Sequence, residues 1–163
     1  MKQDRQLLFV EYLGYITIGI VANMMGPSLI AIRSSFHLNY SQSGLVLSMQ
    51  FFGMLISVIL GGVIADRYGK KPYILAGGLF LTAGLVGVMI SGNFLTLILS
   101  IIIIGIGYGA YSVGINALGA DYAGPNPGKA LNLLHLFFGV GAIVSPLIVS
   151  FTQSIWQSWR PVF

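Results

Sequence analysis

Charged residues divide the chain into long uncharged stretches, which run over residues 12–32, 34–65, 72–120 and 130–159. A helix that crosses the hydrocarbon core of a bilayer needs about 20 apolar residues, so three of these stretches hold one such helix each. The longest stretch holds two, because the turn-forming residues Ser91, Gly92 and Asn93 interrupt it. The pattern therefore predicts five spanning helices. Their expected bounds are about 7–31, 43–65, 72–90, 94–120 and 130–152.

The spans are predicted to be helices because their apolar runs do not alternate with polar residues. A strand of a membrane barrel alternates at every second position, whereas residues 97–104 are apolar almost throughout. After the fifth span, Arg160 and Pro161 are typical of a helix start, where proline is well placed. We therefore expect an all-α membrane protein with five spans and a truncated sixth from about residue 160.

Composition excludes most soluble functions. Of 163 residues, 56% are hydrophobic and 7% are charged, and the mean hydropathy is +0.87, whereas soluble domains carry roughly a quarter charged residues. The absence of cysteine excludes thiolate metal sites and cysteine nucleophiles. No metal cluster, nucleophile–base spacing or phosphate loop is evident, so we expect neither an enzyme nor a cofactor or metal. The basic balance then indicates membrane topology rather than nucleic-acid binding.

The distribution of basic residues predicts the orientation in the bilayer. With the N-terminus inside, two of the eight basic residues, Arg33 and Arg160, face outward. The other six lie on the inner side, and they are Lys2, Arg5, Arg67, Lys70, Lys71 and Lys129. This bias favours a multi-pass protein of the cell membrane with a cytoplasmic N-terminus, and its immediate partner is the lipid bilayer.

The first and fourth spans, and the second and fifth, share short sequences at one constant offset. Residues 51–53 (Phe-Phe-Gly) recur at 137–139, and residues 18–20 (Ile-Gly-Ile) recur at 104–106. Three spans repeated as the next three would be inverted in the membrane, as in secondary transporters. Small residues also group by face, with Gly105 and Gly109 in the fourth span and Gly139 in the fifth, which predicts close helix contacts there.

The segment between the second and third spans, residues 61–72, is the strongest local motif. Gly61 and Gly62 should allow close helix approach, and Gly69 should permit a left-handed turn that reverses the chain. Asp66, at the membrane edge, should find a cationic or helix-end partner. The alternative is a simple positively charged inner loop. The residues that form the pattern are Gly62, Asp66, Arg67, Gly69, Lys70 and Lys71.

This motif resembles the signature loop between the second and third helices of the major facilitator superfamily, and the resemblance extends over the entire chain. It implies the N-terminal helical bundle of a transporter with alternating access. The missing C-terminal half, or a second copy of the chain, would complete it. The resemblance further implies that Asp66 and Arg67 belong to the cytoplasmic closure of the outward-facing state.

A narrower resemblance is to the fucose permease-type branch, and it is carried by residues 116–118 and 128–142. This branch implies sugar transport, generally with proton symport. Ser112 stands where the branch often has an acidic residue.

Polar residues inside the spans are candidates for a binding cavity, because they are costly in hydrocarbon. Hydroxyl, amide and aromatic groups suit a small polar solute such as a sugar. The substrate-binding candidates are Tyr15, Asn23, Gln50, Tyr108, Ser112, Asn116 and His135. For Tyr108 and Asn116 the alternative is interhelical packing or hydrogen bonding.

Glu11 is the proton-coupling candidate, and its alternative is a pair with Arg5 at the cytoplasmic end of the span. The predicted function is secondary active transport of a sugar or similar polar solute, with a proton as the candidate coupling ion. The alternatives are efflux of small amphipathic compounds, or a transport-inactive fragment that needs a second half.

Overall fold

The computed structural model describes residues 2–122 and 127–163, with side chains described over 10–121 and 128–163. Its described residues form five α-helices, α1 to α5, and a short 3-10 turn at Arg160–Val162. The helices are Lys2–Phe36, Tyr40–Tyr68, Lys70–Ile90, Phe94–Tyr122 and Pro127–Trp156. All five are long and apolar enough to cross a membrane. The expected all-α class with five spanning helices is therefore confirmed, although the helices run further than the apolar stretches suggested.

Short polar segments set the helix ends. Asn39 and Gln42 form a reciprocal capping box at the start of α2, with the Asn39 side chain accepting from the Gln42 amide at 2.8 Å. Asn93 caps α4 by accepting from the Thr96 amide at 2.9 Å. The connections that hold these caps are short, so successive helices from α1 to α4 run in opposite directions.

Gly69 is the single residue between α2 and α3. Its φ of 93° lies in the left-handed region, as the sequence predicted, and its amide donates to the Ala65 carbonyl at 2.9 Å. Side chains with a Cβ rarely adopt this conformation, so glycine lets the chain leave one membrane helix and enter the next without a loop.

Glycines lie at the crossings of α1 with α5 and of α2 with α4, and also where α3 packs on α4. An added Cβ on Gly19 would overlap the backbone of α5 at Phe138, and one on Gly141 would overlap α1 at Ile16. Added Cβ atoms on Gly53 and Gly105 would likewise overlap the facing backbones of α4 and α2. Gly19 and Gly105 are equivalent in the predicted repeat, and both lie at such a crossing. The repeat thus corresponds to two similar helix pairs.

Close helix contacts were also predicted at Gly109 and Gly139, and the structure shows one at Gly109 but not at Gly139. Gly109 lies on the same face as Gly105, and an added Cβ would come within 2.9 Å of the Met54 carbonyl oxygen. At Gly139, however, an added Cβ would meet nothing within 4 Å. The prediction of a close contact at Gly139 is therefore wrong, because α5 crosses α1 half a turn further along, at Gly141.

The segment after α5 is tied to the end of α3. The Arg160 guanidinium donates to the Met89 carbonyl, and to the Ser91 carbonyl at 2.8 Å. These carbonyls close α3, where the helix dipole favours a cation. Trp159 is buried beside Phe36. The expected helix start at Arg160 is a 3-10 turn with Pro161 in its first residues.

Candidate functional site

A cavity of about 210 Å³ lies where α1, α2, α4 and α5 approach one another. Three of the predicted substrate-binding residues line it, namely Asn23, Gln50 and Tyr108. The remaining lining residues are Ala22, Phe51, Met54 and Phe138. Two amides and a phenol therefore face an otherwise apolar wall, which is the usual composition of a site for a small organic molecule.

The amides of the pocket are held in place by backbone carbonyls of α1. Asn23 donates from its side-chain nitrogen to the Gly19 carbonyl at 2.9 Å. Gln50 is buried and donates to the Ala22 carbonyl at 3.4 Å. Each amide uses one of its two N–H groups in this way, so its side-chain oxygen and its second N–H remain for a ligand.

Four other predicted residues form a separate polar layer between α1 and α4. Glu11 and Tyr15 lie one turn apart on α1 and are 4% and 1% exposed. Ser112 and Asn116 lie one turn apart on α4, and Ser112 lies beside Tyr15. Both carboxylate oxygens of Glu11, the Tyr15 hydroxyl and Asn116 Oδ1 are buried without a hydrogen-bond partner among the described residues.

His135 lies on the exposed side of α5, and its ring packs edge-on against Tyr15, with the ring centroids 5.7 Å apart. It therefore borders the layer of Glu11 and Tyr15 and does not line the cavity of Asn23 and Gln50. The predicted pair between Glu11 and Arg5 lies outside the described residues, because the side chain of Arg5 is not among them.

The motif at residues 61–72 places its charges on the surface. Asp66 and Arg67 are exposed, and the Arg67 guanidinium lies 5.6 Å from the centre of the Tyr68 ring. Within the described side chains, no ion pair involves Asp66. Gly62 faces open space, so in this bundle the expected close helix approach there is wrong, and Gly61 alone makes it.

Lys70 connects the start of α3 to the end of α4. Its ammonium group forms an ion pair with Asp121 and donates to the Ala117 carbonyl at 3.1 Å. The sequence prediction placed Lys70 in the motif on the cytoplasmic side and did not single out Asp121. A signal was present, because Asp121 is one of four acidic residues and falls on the same predicted side as Lys70.

Tyr73 joins α3 to α2 beneath this motif. Its hydroxyl donates to the Ser57 carbonyl at 2.8 Å and lies 3.1 Å from Ser57 Oγ. Gly61 makes room for it, since an added Cβ would lie 2.5 Å from the Tyr73 hydroxyl oxygen. This contact fixes the spacing of the two helices that carry the motif.

Tyr73→Phe should lower the free energy of unfolding by about 1 kcal/mol, because a buried hydrogen bond is lost while the ring still packs. The measurement is thermal unfolding of the purified protein in detergent. Tyr68→Phe is the matched control, since Tyr68 is exposed, and it should leave the midpoint unchanged. Equal midpoints for the two variants would contradict the role given to the Tyr73 hydroxyl.

A metal centre is not evident in the part of the chain that the structure describes, where no three His, Asp or Glu side chains are grouped closely enough to hold an ion. The chemistry available is hydrogen bonding, aromatic contact and one buried carboxylate. Among the described residues, these are means of binding a small molecule or an ion.

Comparison with known proteins gives relatives among transporters. The chain is 25% identical over 155 residues to the facilitated glucose transporter member 10 of solute carrier family 2 from Xenopus tropicalis, covering 94% of this chain and 28% of the relative. It is 28% identical over 137 residues to the 3-(3-hydroxy-phenyl)propionate transporter of Escherichia coli, covering 81% and 32%. It is 24% identical over 137 residues to the sodium-dependent glucose transporter 1A of Mus musculus, covering 84% and 32%. The chain thus spans about a third of the length of these curated relatives.

The fold is shared with a solved transporter. A crystal structure of the peptide transporter POT in complex with sulfate superposes with a TM-score of 0.76 at 22% identity. The match covers 99% of this chain and 34% of that one. At this identity the likeness concerns the fold, which is that of a helical bundle from one part of a transporter.

The family model of the Major Facilitator Superfamily matches residues 12–163. This match covers nearly the whole chain, and it agrees with the five spanning helices and with the transporter relatives. The chain is therefore a multi-pass membrane protein of a transporter family, and it belongs to the Major Facilitator Superfamily.

Proposed function

We propose that the complete transporter carries a small, polar, sugar-like solute, and that the solute binds at the cavity of Asn23, Gln50 and Tyr108. The observation that carries this proposal is the position of two fixed amides and a phenol, supplied by three helices, in one cavity of about 210 Å³. Amide oxygens accept from sugar hydroxyls, and aromatic faces pack against sugar rings. Two of the relatives described above are named as glucose transporters, which supports this solute class.

Transport would follow alternating access, with this bundle rocking against a second one around the site. The C-terminal half of the transporter, or a second copy of this chain, would supply the facing wall of the cavity. We place the protein in the cell membrane with its N-terminus in the cytoplasm, on the support of the bias of basic residues.

The motif residues Gly62, Asp66, Arg67, Gly69, Lys70 and Lys71 would then lie on the cytoplasmic face. The ion pair of Lys70 with Asp121 links the start of α3 to the end of α4 there. Asp66 and Arg67 remain exposed, and are free to contact a second bundle. These features support a role for the motif in closing the cytoplasmic side.

We further propose that transport is coupled to a cation that neutralises Glu11. A carboxylate that is 4% exposed within a spanning helix is costly unless it gains a proton or a positive partner. The sequence suggests a proton. A monovalent metal ion would neutralise the same single charge.

A second candidate is efflux of small amphipathic compounds. Phe51, Met54 and Phe138 supply much of the cavity wall, and one relative is named as a transporter of an aromatic acid. Under this alternative the apolar wall, rather than the amides, would determine binding.

The test is uptake of labelled sugars into liposomes that contain the purified full-length protein, under imposed gradients of protons or sodium. We expect accumulation of at least one neutral sugar, which an excess of the unlabelled sugar abolishes and which empty liposomes lack. Transport restricted to amphipathic aromatic compounds would support the efflux alternative, and absence of sugar binding and transport would overturn the proposal.

A further inference from the structure

We propose that the polar layer of Glu11, Tyr15, Ser112 and Asn116 between α1 and α4 is a binding site for a sodium ion. The inference rests on the proposed function, because it names the cation that would drive the carrier. Four buried oxygen atoms of the layer lack hydrogen-bond partners among the described residues.

The carboxylate of Glu11 is the charged member of the layer. It is 4% exposed, and neither of its oxygens has a hydrogen-bond partner among the described residues. An isolated ionised carboxylate in an apolar bundle is strongly disfavoured, so its charge must be neutralised by a bound group. A bound cation would neutralise it directly.

Gly119 on α4 faces this carboxylate. An added Cβ there would lie 3.4 Å from Glu11 Oε2 and 2.9 Å from Leu134 Cδ1. Glycine therefore lets Leu134 of α5 pack over this position beside the carboxylate. Asn116 lies one turn before Gly119 on the same face of α4, and its Oδ1 atom is buried without a partner.

Tyr15 continues the layer towards the middle of the bundle. It lies one turn from Glu11 on α1, its hydroxyl is buried and unpartnered in the described part of the chain, and Ser112 lies beside it. Since α1 and α4 run antiparallel, Glu11 faces the region of Asn116 and Gly119, whereas Tyr15 faces Ser112. The donor set is thus a carboxylate, an amide oxygen and two hydroxyls.

These donors fit a metal ion better than a proton. A proton on Glu11 supplies one hydrogen bond, whereas two carboxylate oxygens, the Tyr15 hydroxyl and Asn116 Oδ1 all lack a partner. A hard cation can contact several oxygens at once, and oxygen is the ligand type that such ions prefer. One carboxylate balances one positive charge, so a monovalent ion leaves no excess charge, unlike a divalent one.

The other titratable groups near the layer do not replace the ion. Tyr108 and Tyr111 on α4 and His135 on α5 border it with aromatic rings. Lys71 of α3 lines the same groove as Glu11 but is exposed, and no ion pair joins the two within the described side chains. Within the described side chains, the layer therefore carries one negative charge without a cationic partner.

The experiment measures thermal unfolding of the purified full-length protein in detergent, with sodium titrated against choline at constant ionic strength and at two pH values. No solute is present, so the result does not depend on transport. We expect sodium to raise the unfolding midpoint saturably. Glu11→Gln should abolish this response, and this neutral replacement should fold because it removes a buried charge.

Two further variants distinguish the loss of an ion-binding oxygen from a general loss of protein stability. Asn116→Ala should weaken the apparent sodium affinity about 10- to 100-fold, because one oxygen of the site is lost. Asn132→Ala removes an exposed amide of α5 and should leave the sodium response unchanged. The same titration with a sugar in place of sodium reports separately on the solute cavity.

The proposal would be overturned if the unfolding midpoint does not respond to sodium but depends on pH in the wild type and not in Glu11→Gln. That result would identify a proton at the site. An equal sodium response in the wild type and in Glu11→Gln would also overturn it. If a sugar still raises the midpoint in either case, the solute-carrier function stands while the sodium site fails. Loss of the sugar response alone would count only against the carrier function.

Discussion

Gly105→Val is expected to prevent recovery of a folded protein. At this position an added Cβ would overlap the Gln50 carbonyl and approach the Met54 amide nitrogen within 2.9 Å. These are backbone atoms of α2 and cannot rotate away as a side chain could, so α2 and α4 would have to separate. Overpacking of a well-packed core costs about 1–3 kcal/mol, and we expect a larger cost here, because the whole crossing would open.

The measurement is the yield of monodisperse protein after detergent extraction, followed by the thermal midpoint of any material recovered. Gly139→Val is the matched control, since an added Cβ there meets nothing within 4 Å. Both substitutions replace a helical glycine by valine, so their effects on helix propensity are similar. Similar yield and stability for the two variants would contradict the view that the α2–α4 crossing requires a glycine.

The sequence predicts the helices well because membrane insertion acts on local properties. Charge-free length determines which segments can span the bilayer. The short polar segments around Asn39 and Asn93 end the helices through hydrogen bonds to nearby residues, and Gly69 does so through its conformation. None of these features requires knowledge of how the helices pack, so they can be read from one chain.

The sequence does not predict in the same way which neighbouring helix or cavity each polar side chain faces. The candidates Asn23, Gln50 and Tyr108 share a cavity, whereas Glu11 and Asn116 belong to a separate layer. The division depends on how each helix is rotated about its axis, which packing between glycine-rich faces decides. Hydrophobic periodicity gives little help here, since apolar side chains face both the core and the outside of the bundle.

The internal repeat illustrates the same limit. It paired Gly53 with Gly139, but Gly141 makes the tight contact in α5. A match of three residues aligns two segments in sequence. It does not determine how each helix is rotated about its own axis. Likewise, the ion pair of Lys70 with Asp121 joins residues far apart in the sequence. Their shared position on the predicted inner side of the membrane was the one sequence feature that related them.

Replacing Gln50 by leucine should reduce sugar uptake about 10- to 100-fold, if the amide oxygen accepts a hydrogen bond from the solute. Leucine has a similar volume, so the apolar packing of α2 against α1 and α4 should be retained. The one protein hydrogen bond lost is the long one to the Ala22 carbonyl at 3.4 Å. We therefore expect a small change in stability and a large change in transport.

The measurement is the initial rate of uptake over a range of sugar concentrations, in liposomes that contain equal amounts of each variant. Gln153→Leu is the matched control, because Gln153 lies towards the end of α5 beside Arg160 and not in the cavity of Gln50. It should transport as the wild type does. Asn23→Ala should resemble Gln50→Leu, since Asn23 lines the same cavity.

The two solute classes predict opposite responses to these variants. A sugar loses hydrogen bonds when Gln50 becomes leucine, whereas an amphipathic compound gains apolar contact beside Phe51 and Phe138. Reduced sugar uptake together with normal folding would thus identify the amides as specificity-determining groups. Unchanged sugar uptake in both Gln50→Leu and Asn23→Ala would remove the cavity from the solute pathway, even if the protein still transports sugar.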